Sequence, residues 1–94
     1  MKYFDWDESK NTFLKESRDV SFEDIQLAVE EGRILDDFEN PNKKRYPSQR
    51  ILVVEIESYV YYVPYVEDEG KIFLKTIFPS RKATKKYLYG GDKK

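Results

Sequence analysis

The stretch that decides the fold is residues 50–66, RILVVEIESYVYYVPYV, which predicts two strands joined by a tight turn. Residues 50–56 form a β-branched run, and residues 59–66 are apolar on both faces, as is typical of a strand inside a sheet. Glu57 and Ser58 lie between the two runs and predict the turn. Pro64 has no backbone N–H to donate, so it predicts a bulge or a sheet edge at that point.

After these strands, residues 67–70 turn the chain into a further predicted strand over residues 71–78. Its alternation places one row of side chains toward the helices, namely Ile72, Leu74, Thr76 and Phe78.

A short closing helix follows this strand. Pro79 suits its first turn, with Ser80 or Phe78 near the cap, and Ala83 and Tyr87 are expected to face inward.

Before these strands, two helices follow a short strand over residues 2–6. Asp7 is a predicted N-cap for a helix that runs to about Arg18 and buries Phe13 and Leu14.

The second helix begins at Ser21, which forms a predicted capping box with Asp24, and ends before Gly32. A strand over residues 33–38 and a loop over residues 40–47 complete the order.

The expected fold class is therefore α+β, with a small antiparallel sheet packed against an N-terminal helix pair and closed by a short C-terminal helix. The element order is β-α-α-β-β-β-β-α. The 94 residues suffice for one domain, which we assign to residues 1–89, with residues 90–94 as a flexible tail.

Composition removes several kinds of chemistry. The chain has no Cys and no His, so disulfides, thiolate metal sites and Ser-His-Asp or Cys-His catalysis are excluded, and we expect neither a metal nor a cofactor. No apolar run approaches the roughly 20 residues of a membrane span. The N-terminus has no signal-peptide pattern, so we expect a cytoplasmic protein without a membrane partner.

Charge is divided unevenly along the chain. Residues 1–40 hold five Lys/Arg and twelve Asp/Glu, whereas residues 41–94 hold twelve Lys/Arg and six Asp/Glu. In the closing helix, Arg81 and Lys85 stack at four-residue spacing, as do Lys82 and Lys86. Two adjacent basic columns of this kind predict a polyanion partner, although such a helix is also typical of a solvated surface.

Three segments carry a resemblance to a known family. They are Phe4-Asp5-Trp6-Asp7-Glu8-Ser9-Lys10, Val20-Ser21-Phe22-Glu23-Asp24 and Ile77-Phe78-Pro79-Ser80-Arg81-Lys82-Ala83-Thr84. In this order they resemble the BrnT-type toxins of bacterial type II toxin–antitoxin pairs, within the RelE/ParE-like superfamily. The resemblance covers most of residues 3–88. It implies a RelE-like fold, metal-independent endoribonuclease activity on mRNA, and a cognate antitoxin, often of ribbon-helix-helix type, with which the toxin associates.

Metal-independent RNA cleavage needs a base for the 2′-hydroxyl, an acid for the leaving oxygen and positive charge near the phosphorane. Arg81 is the preferred charge stabiliser, because its planar fork contacts two phosphate oxygens. We assign Lys82 and Lys85 to the same catalytic group, as phosphate ligands or, if desolvated, as proton carriers. The candidates for RNA binding are Arg50, Lys75, Lys86 and Lys15.

Other residues allow weaker interpretations. Tyr59, Tyr61, Tyr62 and Tyr65 offer stacking surfaces for bases, although alternating tyrosines in a central strand are more typical of a core or an antitoxin interface. Glu55 and Glu57 are possible general bases. The run from Asp36 to Glu39 could hold a cation or form a charged surface.

Two further functional hypotheses belong to other classes. The first is a non-enzymatic binder, either of nucleic acid or of a protein target as in the ParE-like branch. The second is a degenerate family member retained as a structural or repressor subunit.

Overall fold

The computed structural model describes residues 3–89, and it contains three helices and six strands. The elements, in chain order, are β1 (Tyr3–Trp6), α1 (Glu8–Arg18), α2 (Phe22–Glu30), β2 (Ile34–Glu39), β3 (Gln49–Ile56), β4 (Tyr59–Asp68), β5 (Lys71–Leu74), β6 (Phe78–Pro79) and α3 (Arg81–Leu88). The expected tail over residues 90–94 lies outside the described residues, as does Lys2. No helix in the described part of the chain is long and apolar enough to cross a membrane.

The hairpin of β3 and β4 lies at the centre of the sheet. Its strands pair antiparallel from Gln49↔Val66 to Ile56↔Tyr59, and the predicted turn at Glu57 and Ser58 is confirmed. Both turn residues have positive φ, 52° and 66°. This is the backbone of a type I′ turn, whose twist matches that of the two strands.

The sheet is mixed, and the expectation of a wholly antiparallel sheet is wrong. The strand order is β1-β5-β4-β3-β2, with β6 also paired to β4. β1 runs parallel to β5, from Tyr3↔Lys71 to Trp6↔Leu74. The chain passes from β1 through the helix pair α1 and α2 to β2 at the other edge of the sheet. The strands that follow then bring β5 beside β1, in parallel.

The predicted strand over residues 71–78 is divided into β5 and β6, opposite Pro64. The N–H of Lys75 still donates to the Pro64 carbonyl at 2.8 Å, but Pro64 cannot donate in return. The irregular connection changes the side-chain alternation, so that Ile77 is fully buried and Phe78 is exposed. The prediction that Phe78 faces the helices together with Leu74 is therefore wrong, whereas Leu74 itself is buried.

α1 and α2 cover one face of the sheet. Their buried residues Leu14, Phe22 and Ile25 pack with Leu52 and Val63 of the central hairpin. Phe13 does not join them: it is 53% exposed, because α1 turns that position to solvent.

The ends of these helices agree with the sequence. Asp7 accepts from the N–H groups of Ser9 and Lys10, and Ser21 and Asp24 form the predicted capping box. Gly32, with φ of 76°, follows α2.

α3 packs on the opposite face of the sheet. Ala83 forms a second core cluster with Val53 and Val60, and Tyr87 packs against it, which confirms the predicted inward positions. Ser80 is the N-cap, so Pro79 precedes the helix as the last residue of β6 instead of occupying the first turn. The fold is α+β, and helices cover both faces of an open mixed sheet.

Candidate functional site

The basic side chains of α3 point away from the sheet because the helix is fixed by its other side. Ala83 and Thr84 are buried, and the Thr84 hydroxyl accepts from the Val60 N–H at 2.9 Å and donates to the Ser80 carbonyl at 2.8 Å. The Ser80 N–H in turn donates to the Val60 carbonyl at 3.0 Å. These contacts attach the start of α3 to β4 and so determine which α3 side chains face solvent.

Arg81, Lys82 and Lys85 are exposed on this attached helix. None of the three side chains makes a hydrogen bond or an ion pair with another residue in the range 3–89. Three cations therefore lie within two turns of α3, and no acidic side chain of residues 3–89 is paired with them. Together they form a surface that attracts an anion. The structure therefore brings the three predicted catalytic residues together.

Lys86 is also on α3, but it lies beside an acidic group. Its Nζ is 5.3 Å from the centroid of the Tyr87 ring, and the Tyr87 hydroxyl donates to Asp36 Oδ2 at 2.9 Å. The Asp37 N–H, the Tyr87 hydroxyl and the charge of Lys86, in that order, lower the pKa of Asp36. Burial, followed by the bond to Asp36, raises the pKa of Tyr87 to about 12. Asp36 thus offsets part of the positive charge at this end of α3.

Arg50 lies on the other face of the sheet, away from α3. Its Nε donates to Asp37 Oδ1 at 3.1 Å and its Nη2 to the Asp37 carbonyl at 3.2 Å. The bond to the Asp37 carboxylate, followed by the Tyr65 hydroxyl, raises the pKa of Arg50. The Tyr65 hydroxyl bonds to the same carboxylate at 2.9 Å, and burial, followed by this bond, raises the pKa of Tyr65 to about 12. Arg50 is therefore engaged in a network that joins β2, β3 and β4.

Lys15 is also distant from α3, because it lies on α1. Its Nζ is 3.9 Å from Glu23 Oε1, and both side chains are more than half exposed. The amide of Asn11 donates to the same Glu23 oxygen at 2.8 Å, and this bond is the main reason that the pKa of Glu23 is lowered. Lys15 thus belongs to the interface between α1 and α2.

An elongated groove lies on the α3 face of the sheet, and we call it the aromatic groove. Two clefts of about 420 Å³ and about 390 Å³ form it, and they share Asn40, Ile51 and Phe78. Tyr62 packs edge-on against Phe38, with ring centroids 6.2 Å apart, and against Phe78, at 6.0 Å. Tyr62 and Phe38 also pack against the cluster that contains Ala83 of α3. The groove and the basic helix are therefore neighbours on one face.

The rim of the aromatic groove is polar and basic. Lys10 and Lys75 line it, with Tyr46 and the amides of Asn40 and Gln49. Lys75 Nζ is 5.2 Å from the centroid of the Phe73 ring, and the Arg45 guanidinium is 5.5 Å from that of Tyr46. Of the predicted RNA-binding residues, Lys75 and Lys86 therefore share the face of α3.

Sequence reasoning missed this groove. It treated four tyrosines of β4 as one cluster, but the pleat places Tyr61 and Tyr65 toward α1 and α2, and Tyr62 toward α3. The alternation of β4 contained that signal. The position of Phe78 could not be predicted in this way, because the break after β5 places its side chain on the α3 face, against Tyr62.

Glu55 shares the α3 face of β3, since it pairs with Val60, whose side chain lies in the same cluster as Ala83 of α3. Its neighbour Glu57 lies in the turn. Within residues 3–89, no three acidic side chains converge as metal ligands, so Asp36 and Asp37, which point to opposite faces, form no cation site there.

Comparisons of the chain with protein-family models, with curated proteins and with solved structures gave no match.

Proposed function

We propose that this chain is the toxin of a type II toxin–antitoxin pair and that it cleaves mRNA in the bacterial cytoplasm without a metal ion. The observation that carries the proposal is the exposed set Arg81, Lys82 and Lys85 on a helix attached to the sheet by Ser80 and Thr84. The resemblance of three segments to BrnT-type toxins supports it, and a RelE-like topology is part of the same proposal. The cognate antitoxin is then a ribbon-helix-helix protein that covers the basic face.

In the proposed reaction, the 2′-hydroxyl of a nucleotide attacks its own 3′-phosphate, and the 5′-oxygen of the next nucleotide leaves. Arg81 binds two non-bridging oxygens and stabilises the negative charge of the phosphorane. Lys82 and Lys85 hold the flanking phosphates, a role for which their exposure is suitable. Lys75 and Lys86 extend the positive surface on the same face.

Proton transfer is the second requirement of this reaction. We assign the role of base to Glu55, which lies on the α3 face of β3, opposite Val60. It would accept the proton of the 2′-hydroxyl, while a lysine ammonium or water donates to the leaving oxygen. A carboxylate and an ammonium group or water would then divide the two proton transfers, while the Arg81 guanidinium stabilises the charge of the phosphorane.

The test is expression of the chain without its neighbouring gene, followed by measurement of translation and of mRNA integrity. Growth arrest with cleaved mRNA is expected for the wild type and loss of both for Arg81→Ala, with Lys15→Ala as the matched control on the other face. Normal growth with intact RNA, in a protein shown to be folded, contradicts the proposal.

A non-enzymatic binder is the second candidate. It is favoured by the absence of His and by the lack, within residues 3–89, of an acid–base pair hydrogen-bonded to Arg81. Growth arrest with intact RNA and altered DNA supercoiling would identify a poison of a protein target. A degenerate repressor subunit would cause no arrest, and Arg81→Ala would have little effect on it.

A further inference from the structure

We infer that the aromatic groove is a binding site for an unpaired base of single-stranded RNA. This inference rests on the proposed function, because it names the form of RNA that the basic face receives. It assigns a role to Phe78, Tyr62 and Tyr46, none of which takes part in the cleavage step.

The groove has the size and the walls that a base requires. Each of its two clefts, of about 420 and 390 Å³, lies within the range typical of small-ligand sites. Phe78 and Tyr46 are each 37% exposed, so aromatic carbon remains accessible to a ligand. Nucleobases stack on such rings irrespective of sequence, since every base has a π-face.

The rim supplies groups that match the edge and the phosphate of a nucleotide. The Asn40 amide donates to Gln49 Oε1 at 2.9 Å, which orients the Gln49 side chain and leaves its NH₂ group available for an acceptor on a base. Lys10 and Lys75 line the larger of the two clefts, and their side chains carry ammonium groups of the kind that contacts phosphate oxygens. Apolar walls with a basic rim complement a nucleotide better than they complement an uncharged apolar segment.

The position of the groove specifies single-stranded RNA. Tyr62 packs against the cluster that contains Ala83, so a strand that lays its phosphates along α3 has its next bases beside the groove. A base can enter only when it is unstacked and unpaired, because a duplex keeps its bases within the helix. The α3 cations alone would bind a duplex as well as a single strand, so the groove supplies the distinction.

The experiment measures binding by fluorescence anisotropy with a labelled octanucleotide that carries 2′-O-methyl groups, which block attack by the 2′-oxygen. The same strand annealed to its complement and an abasic strand of equal length serve as comparison probes. We expect the single strand to bind at least about tenfold more tightly than the duplex.

Phe78→Ala and Tyr46→Ala should each weaken binding of the single strand about tenfold and leave the abasic strand unaffected. Tyr3→Ala removes an exposed aromatic residue from β1, outside the groove, and should have no effect.

The outcomes separate this inference from the proposed function. If no probe binds, both fail. If the single strand binds but Phe78→Ala and Tyr46→Ala behave like Tyr3→Ala, the groove holds no base and only the inference fails, as expected if a partner protein covers the groove. Equal binding of duplex and single strand also overturns it. Thermal unfolding of each variant establishes that it is folded, and Tyr46, in the loop before β3, provides a second test if Phe78→Ala is unstable.

Discussion

The hydroxyl of Tyr87 donates a hydrogen bond of 2.9 Å to Asp36 Oδ2, which joins α3 to β2. The two residues are separated by 51 positions in the chain. The bond fixes the end of α3 that is opposite its Ser80 cap, so the basic helix is attached to the sheet at both ends.

Replacing Tyr87 with Phe should therefore loosen the end of α3. We expect the free energy of unfolding to fall slightly, because the variant loses one hydrogen bond that is exposed to solvent. Urea denaturation measures the change. Tyr89→Phe is the matched control, because Tyr89 is 68% exposed and its hydroxyl has no partner within residues 3–89. Equal stability of the two variants would contradict the prediction.

Ionisation of Tyr65 should lower the stability of the folded protein at alkaline pH. Its pKa is about 12 in the folded protein and about 10 in the unfolded chain, so folding favours its neutral form. The contribution is complete below pH 10 and is lost as the pH rises toward 12. Urea denaturation from pH 9 to 12 should show wild type losing its advantage over Tyr65→Phe in this window. A difference that stays constant across the window would refute the assignment.

Substitution of Asn11, in α1, should lower the stability of the protein. It is fully buried, and its Oδ1 accepts from the Phe22 N–H at 2.8 Å while its amide donates to Glu23. Asn11→Ala leaves that N–H buried without a partner, at a cost of about 1–3 kcal/mol. Thr12→Ala, exposed on the same helix, should change the unfolding free energy by less than about 0.5 kcal/mol.

Substitutions in the turn of the central hairpin should stabilise the protein. Glu57 and Ser58 both adopt positive φ, where residues other than Gly and Asn are disfavoured by roughly 1 kcal/mol each. We expect Glu57→Asn combined with Ser58→Gly to raise the unfolding free energy by about 1–2 kcal/mol. The turn at Glu69 and Gly70 already has Gly at its second position, so Glu69→Asn should gain less. A loss of stability in the double variant would argue against the type I′ geometry.

The salt dependence of RNA binding should show how many phosphates the side chains of α3 contact. For single-stranded RNA, each contact contributes about 0.7 to the slope of log K against log salt concentration. Alanine at Arg81, Lys82 or Lys85 should lower the slope by about that amount, measured with the 2′-O-methyl octanucleotide. Lys15→Ala, on the other face, should leave the slope unchanged. A uniform slope across all four variants would place the RNA elsewhere.

The sequence by itself determined the local structure of this protein. The caps at Asp7 and Ser21, the end of α2 before Gly32 and the turn at Glu57 each depend on side chains within a few residues, so the pattern predicted them correctly. The same holds for the inward positions of Ala83 and Tyr87, because helical spacing alone selects them.

Only the tertiary structure decided the relations between distant segments. The parallel pairing of β1 with β5 depends on where α1 and α2 pack, and the division of the last strand depends on its pairing with Pro64. That division moved Phe78 outward, beside Tyr62, and created a groove that no local pattern encodes. The tertiary structure also separates the predicted cations. Arg81, Lys82 and Lys85 lie together on one helix, whereas Arg50 binds Asp37 on the opposite face, because adjacent strand residues alternate sides.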